Sequence, residues 1–288
     1  MAISLLNVQG LQQLMKETPD NLLLVDTRPI EEYDEGHVPG AVHVAWEEWC
    51  AKPPRGLSEE LDQPGYWGRL IDADETALAE RLGKNGFGNE KTIVVYADGA
   101  KSKGREGRIA WMLLYFGAKD VRLLDGGYEA WVNSGAEIDK KSVSPKPAQF
   151  VVCRDERRRV MIDQLIDLIK NEPNLMLVDT RTKREFGGND YRYMPRMGTL
   201  PDAELIAYAS IFNSDGTFLS KEKFSELVNA EKQLDKKVVT FCEVGVRACT
   251  IALLLEMYTG RVTAVYDGSM MEWSSHPDLP VAIGKAAE

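Results

Sequence analysis

Histidine and cysteine are scarce in this 288-residue chain, which holds three of one and four of the other. His37, His43 and His276 sit in no catalytic motif, so a cysteine protease, which needs a histidine base beside its thiol, is a poor fit. The cysteines, at positions 50, 153, 242 and 249, make no CxxC pair and no zinc-ligand spacing. That pattern points to a reduced compartment, the cytoplasm. Positive charge is also short. A formal net charge of -10 argues against broad binding to nucleic acid or an anionic membrane surface, both of which need a basic face. Any anionic ligand must therefore meet a local basic cluster. No stretch approaches the roughly 18 consecutive apolar residues of a membrane span. Met1 to Lys16 lacks the basic start, unbroken apolar core and small-residue cleavage site of a signal peptide.

What is present is ordinary globular material, 44% hydrophobic and 28% charged, enough for two cores at roughly 150 residues per domain. The chain also repeats itself. Leu24-Val25-Asp26-Thr27-Arg28 returns as Leu177-Val178-Asp179-Thr180-Arg181, and Asp125-Gly126-Gly127 with Trp131 returns as Asp267-Gly268-Ser269 with Trp273. Between these markers, Ile93 to Tyr96 matches Val238 to Phe241. Three markers in one order indicate a duplicated domain. In the second copy Ile162, Leu165, Ile166 and Ile169 follow the helical template, and 175–178, 238–241 and 262–266 read as short apolar strands. A mostly apolar helix is expected over 251–258. Strands alternating with helices imply an α/β fold in which each half is a parallel sheet flanked by helices on both faces. The Pro145 and Pro147 region is the expected linker, with domains at 1–144 and 145–288.

The strongest chemical signal is Val238-Val239-Thr240-Phe241-Cys242-Glu243-Val244-Gly245-Val246-Arg247-Ala248. It runs from a strand into a single cysteine, then through a Gly-containing loop into a helix. A helix N-terminus offers unpaired N–H groups and a positive dipole end, an environment that favours a thiolate nucleophile. In parallel sheets ligands sit beyond the carboxyl ends of the strands, which is where Cys242 falls. Trp131 and Trp273 are expected to be core, Asp26–Arg28 and Asp179–Arg181 to be structural ion pairs, and His37 to satisfy local hydrogen bonds. Gly99 to Gly104 lacks the Gly-Lys-Ser/Thr ending of a phosphate loop. Cys249 packs in the helix or resolves an oxidised Cys242 as a disulfide.

These residues resemble the rhodanese-type sulfurtransferases in their tandem two-domain form. Val25-Asp26-Thr27-Arg28, Glu32-Tyr33 and Gly36-His37-Val38-Pro39-Gly40-Ala41 are similar to the family's first signature, and Tyr266-Asp267-Gly268-Ser269 with Glu272-Trp273 to the second, as found in thiosulfate and 3-mercaptopyruvate sulfurtransferases. The second half departs from the first signature at Gly198-Thr199-Leu200-Pro201-Asp202-Ala203. The resemblance implies a catalytic C-terminal half with a six-residue loop, Cys242-Glu243-Val244-Gly245-Val246-Arg247, followed by Ala248. In the first half it places the cysteine position at Asp98, and a carboxylate cannot carry sulfane sulfur. The implied activity moves sulfur from thiosulfate or 3-mercaptopyruvate through a Cys242 persulfide to cyanide or a thiol, including that of a thioredoxin-like protein. Neither the residues nor the resemblance calls for a metal or cofactor.

Arg247, Arg181, Arg184 and Arg196 are the expected anion contacts, in a stretch locally basic between 181 and 196. Glu243 opposes both a dianionic donor and the thiolate. Two other functions remain open. One is a phosphatase or arsenate reductase of the same fold, disfavoured because the loop is C-x4-R rather than the wider C-x5-R. The other is a regulatory or sulfur-relay module.

Overall fold

The computed structural model describes residues 2–53, 67–71, 73–189, 194–228 and 236–285. Asp190 and Arg192, which fall within the basic stretch between 181 and 196, lie outside the described residues. The chain divides into two compact units. One comprises Met1–Trp46, Asp72–Asp155 and Phe212–Phe218; the other Glu47–Ile71, Glu156–Ile211 and Leu219–Glu288. The first extends past Ser144 because Cys153 and Asp155 N–H groups donate to the carbonyls of Phe116 and Tyr115.

In the first unit the strands are β1 (Ile3–Leu6), β2 (Leu22–Asp26), β3 (Val42–His43), β4 (Thr92–Tyr96) and β5 (Asp120–Leu124). They alternate with helices α1 (Val8–Glu17), α2 (Ile30–Glu35), α3 (Glu75–Lys84), α4 (Arg105–Phe116) and α5 (Gly127–Asn133). All pairings are parallel, in the order β1-β5-β4-β2-β3. The second unit repeats this with β6 (Arg159–Val160), β7 (Leu175–Asp179), β8 (Glu204–Leu205), β9 (Lys237–Phe241) and β10 (Ala264–Tyr266), in the order β6-β10-β9-β7-β8. Its helices are α6 (Ile162–Asn171), α7 (Lys183–Phe186), α8 (Lys221–Leu227), α9 (Val246–Thr259) and α10 (Ser269–Ser275). Identical strand order in both units is the duplication written in three dimensions.

The β-branched run Thr92-Ile93-Val94-Val95 of β4 is wholly buried, as a central parallel strand covered on both faces must be. Trp131 and Trp273 are core, each donating its indole N–H to a backbone carbonyl, of Glu137 and Pro280. Helix α9 begins at Val246, five residues before the expected 251. Nearly all of it is buried, so no amphipathic period marks its start. The altered turn of the second unit survives with Asp202 in the left-handed conformation, φ 59°, that Gly40 adopts in the first.

Strand register corrects one assignment. Asp26 pairs with Tyr96 and Asp179 with Phe241. Tyr128 N–H donates to Ala97 O as Met270 N–H donates to Cys242 O. Ala97, not Asp98, stands where Cys242 stands, and Asp98 matches Glu243. The slip arises from the loop. Gly104 precedes α4 seven positions after Ala97, whereas Gly245 precedes α9 three positions after Cys242. An alanine carries no sulfur either. Counted from these glycines, Glu106 takes the place of Arg247.

Burial and a hydrogen bond to Glu32 push the Asp98 carboxyl up to about 7, against the opposing charge of Arg28. In the unfolded chain an aspartate titrates near 3.9, so the fold holds the proton more tightly. Its contribution to stability is complete below about pH 4 and is lost as pH rises through about 7. Asp98→Asn, which imitates the protonated form, should flatten that loss. The check is Tm at pH 5 and pH 8: the variant's Tm relative to the wild type should be clearly higher at pH 8 than at pH 5.

Candidate active site

Strand β9 ends at Phe241, and the chain turns through Cys242 to Gly245 before α9 begins. Gly245 makes the turn possible with φ 81°, a conformation that costs a side chain about 1 kcal/mol or more. The first N–H groups of a helix have no intrahelical acceptor. Here the N–H groups of Val244, Gly245, Val246, Arg247 and Ala248 donate to no acceptor among the described residues. Cys249 N–H is the first satisfied, at 3.4 Å from Gly245 O. Five consecutive unpaired donors, two in the loop and three in the first turn of a 14-residue helix, follow the Cys242 thiol in the chain, an arrangement that favours a bound anion.

Cys242 is 1% exposed, so the thiol lies beneath the surface. Its backbone is fixed on both sides: its N–H donates to Ser269 Oγ at 3.1 Å, and its carbonyl accepts from Met270 N–H at 3.1 Å. Ser269 itself sits at φ 51°, a strained position for a residue with a side chain, and donates to Tyr266 O at 2.9 Å. All four cysteines are free. Cys249 donates its S–H to Gly245 O at 3.0 Å, which places it in the helix packing.

Arg247 is the one expected arginine that sits at this loop, and its charge is already shared. Its Nη1 and Nη2 donate to Glu185 at 2.9 and 2.7 Å, and Nη2 reaches Glu243 at 3.4 Å. Burial disfavours its charged form, but the hydrogen bond to Glu185, the electrostatic attraction of Cys242 and the remaining carboxylate charge outweigh it and hold its pKa above the ordinary value. Burial likewise pushes Glu185 up, yet Arg247 and the Thr182 N–H and hydroxyl bring it down to about 2. One guanidinium thus faces two carboxylates.

The other arginines are engaged elsewhere. Arg181 is 1% exposed, forked onto Asp179 at 2.7–3.1 Å and donating to Gly198 O, so it is the structural ion pair and not an anion contact. Arg28 does the same with Asp26 and Gly36 O. Arg196 donates to four backbone carbonyls, of Trp273, Ser274, His276 and Leu279. Arg184 is exposed on α7. His37 is buried, stacked on Tyr33 and hydrogen-bonded to its carbonyl, as expected of a structural histidine.

Three features escape sequence reasoning. Glu185 is legible only through the capping box Thr182-x-x-Glu185, which fixes its side chain. Ser269 lies 27 positions from the cysteine it holds. The segment Trp67 to Ile71 lies further still: Gly68 rests directly on Val244, Leu70 N–H donates to Asp267, and Arg69 pairs with Glu272. No local pattern encodes such contacts. Among the described residues, no helix is long and apolar enough to cross a membrane.

Comparison with known proteins agrees with this architecture. The rhodanese-like domain family matches residues 7–134 and again 161–276. The chain is 29% identical to the "Sulfur carrier protein TtuD" of Thermus thermophilus, covering 98% of this chain and 97% of that protein. It is 30% identical to the thiosulfate sulfurtransferase of Corynebacterium glutamicum, covering 88% and 82%. It is 32% identical to the "Probable 3-mercaptopyruvate sulfurtransferase" of Pseudomonas aeruginosa, covering 97% and 98%. Among solved structures, an anaerobic ergothioneine biosynthesis enzyme from Chlorobium limicola superposes with a TM-score of 0.82 at 22% identity, covering 98% of this chain and 70% of that one, a likeness of fold. A duplicated sheet and a domain model matched in both copies leave one conclusion: the chain belongs to the rhodanese family and is a tandem-domain sulfurtransferase of the thiosulfate/3-mercaptopyruvate class.

Proposed function

We propose that Cys242 is the nucleophile and carries the transferred sulfur as a persulfide. The observation that supports this reading most is the row of unpaired N–H groups from Val244 to Ala248 that follows the thiol in the chain. The thiolate attacks the outer sulfur of the donor, forming a new S–S bond. With thiosulfate, the old S–S bond breaks and its electron pair leaves on sulfite. With 3-mercaptopyruvate, the C–S bond breaks and the pair passes to carbon, which takes a proton to give pyruvate. The terminal persulfide sulfur is an anion, and the five N–H donors stabilise it. Cyanide or a thiolate, free or on a thioredoxin-like protein, then attacks that sulfur and returns Cys242 as the thiolate. A loop of C-x4-R suits a single sulfur atom better than a tetrahedral phosphate. Four free cysteines suit work in a reduced compartment.

Charge favours one donor over the other. Two carboxylates against one guanidinium disfavour dianionic thiosulfate more than a monoanionic carboxylate donor. The test is mass spectrometry of the protein after incubation with each donor. One added sulfur on Cys242 is expected from 3-mercaptopyruvate, with slower loading from thiosulfate. Glu243→Gln should raise thiosulfate kcat/KM by about tenfold, the effect of removing one nearby charge in a partly screened site. No mass gain from either donor would refute the persulfide.

A further inference from the structure

The expected role of Arg196 was to contact the donor. We infer instead that it is a positioning residue, which holds the nucleophile through helix α10. This inference rests on Cys242 being the nucleophile. Helix α10 has seven residues, too few to be stable alone, so its place depends on what holds its ends. Its N-terminal end grips the active-site loop. Met270 N–H donates to Cys242 O at 3.1 Å, Met271 N–H to Glu243 O at 2.9 Å, and Ser269 Oγ accepts from Cys242 N–H. Its C-terminal end leaves carbonyls without intrahelical donors. Arg196 donates there: Nε to Ser274 O at 3.0 Å, and Nη2 to Trp273 O at 3.3 Å and to His276 O at 2.6 Å, alongside the backbone N–H groups of His276 and Leu279 that these last two carbonyls also accept. Nη1 adds Leu279 O at 2.7 Å, which ties the chain beyond the helix to the same guanidinium. A cation at a helix C-terminus is also favoured by the dipole.

The first unit supplies an internal comparison. There α5 makes the same grip, Tyr128 N–H to Ala97 O, on a residue with no thiol. Among the described residues, no guanidinium donates to the carbonyls that end α5. The clamp occurs where the helix holds Cys242. Sulfur transfer requires the thiol to stay aligned with the five N–H donors, and an error of 1 Å in such a site costs about 10²-fold.

The experiment compares Arg196→Lys and Arg196→Met with the wild type. It measures kcat and KM for thiosulfate and 3-mercaptopyruvate, and amide hydrogen exchange at Met270 and Met271. A lysine keeps the charge but cannot serve carbonyls in four directions. Positioning therefore predicts that both variants lose about tenfold or more in kcat, by the same factor for both donors, with KM within about twofold. Exchange at Met270 and Met271 should rise about tenfold. A donor-contacting Arg196 gives the opposite: raised KM, rescue by lysine, and unchanged exchange. That outcome overturns the inference. If Cys242 proves not to carry sulfur, exchange at the two amides still decides whether Arg196 holds α10, so the two failures are distinguishable.

Discussion

Replacing Cys242 by serine should reduce sulfur transfer by about 10⁴-fold or more from either donor while leaving the far-UV circular dichroism spectrum unchanged. The oxygen is nearly isosteric, and the interactions that fix this residue, to Ser269 Oγ and from Met270 N–H, belong to its backbone. A serine hydroxyl in the same loop keeps its proton near neutral pH and makes no persulfide. The buried hydroxyl finds the unpaired N–H groups of the loop as donors, so the cost of burying it is offset. Retained turnover in Cys242→Ser, with a matching spectrum, would show that another group is the nucleophile.

A comparably large loss is expected from a glycine that touches no substrate. Gly68 has φ +70°, and a Cβ added there would lie 2.1 Å from the Val244 carbonyl oxygen and 2.4 Å from the Val244 Cβ. Neither atom is the end of a flexible side chain, so in Gly68→Ala backbone must move. Val244 is the first of the five unpaired donors, two residues after Cys242, and its displacement misaligns that row. Activity should fall by about 10²-fold, with a destabilisation of about 2–4 kcal/mol from clash plus left-handed strain. Gly135→Ala separates the two causes. It has φ +74° with nothing within 4 Å of an added Cβ, so it carries the strain without the clash. It should cost about 1 kcal/mol and leave activity intact. Equal activities of Gly68→Ala and Gly135→Ala would show that the loop tolerates the shift.

The acid-base linkage of the loop has a definite sign. Glu185 is held down to about 2, so the stability of its pair with Arg247 is present above the usual glutamate range and is lost as pH falls through about 2. The Asp98 carboxyl of the first unit runs the other way. Both carboxyls are buried, which raises them; at Glu185 the hydrogen bonds from Arg247 and Thr182 outweigh burial, whereas at Asp98 the hydrogen bond with Glu32 adds to it and the Arg28 charge does not overcome the two.

The chain's order of residues determined the duplication, the two α/β sheets, and the placement of one thiol between a strand and a helix. Those features are local. The repeated Leu-Val-Asp-Thr-Arg, the apolar strands and the glycine before α9 act on neighbours a few positions away. The Asp-x-Arg ion pairs were legible for the same reason, since Asp179 and Arg181 meet two residues apart. Tertiary structure decided the rest. It moved the cysteine-equivalent of the first half from Asp98 to Ala97, because β-ladder register, and not loop length, aligns the copies. It turned Arg181 and Arg196 from anion contacts into structural donors, because a guanidinium's partners depend on which carbonyls and carboxylates the fold brings near it. It also set Gly68 on Val244 and Ser269 on Cys242, contacts across 176 and 27 positions that no local pattern encodes.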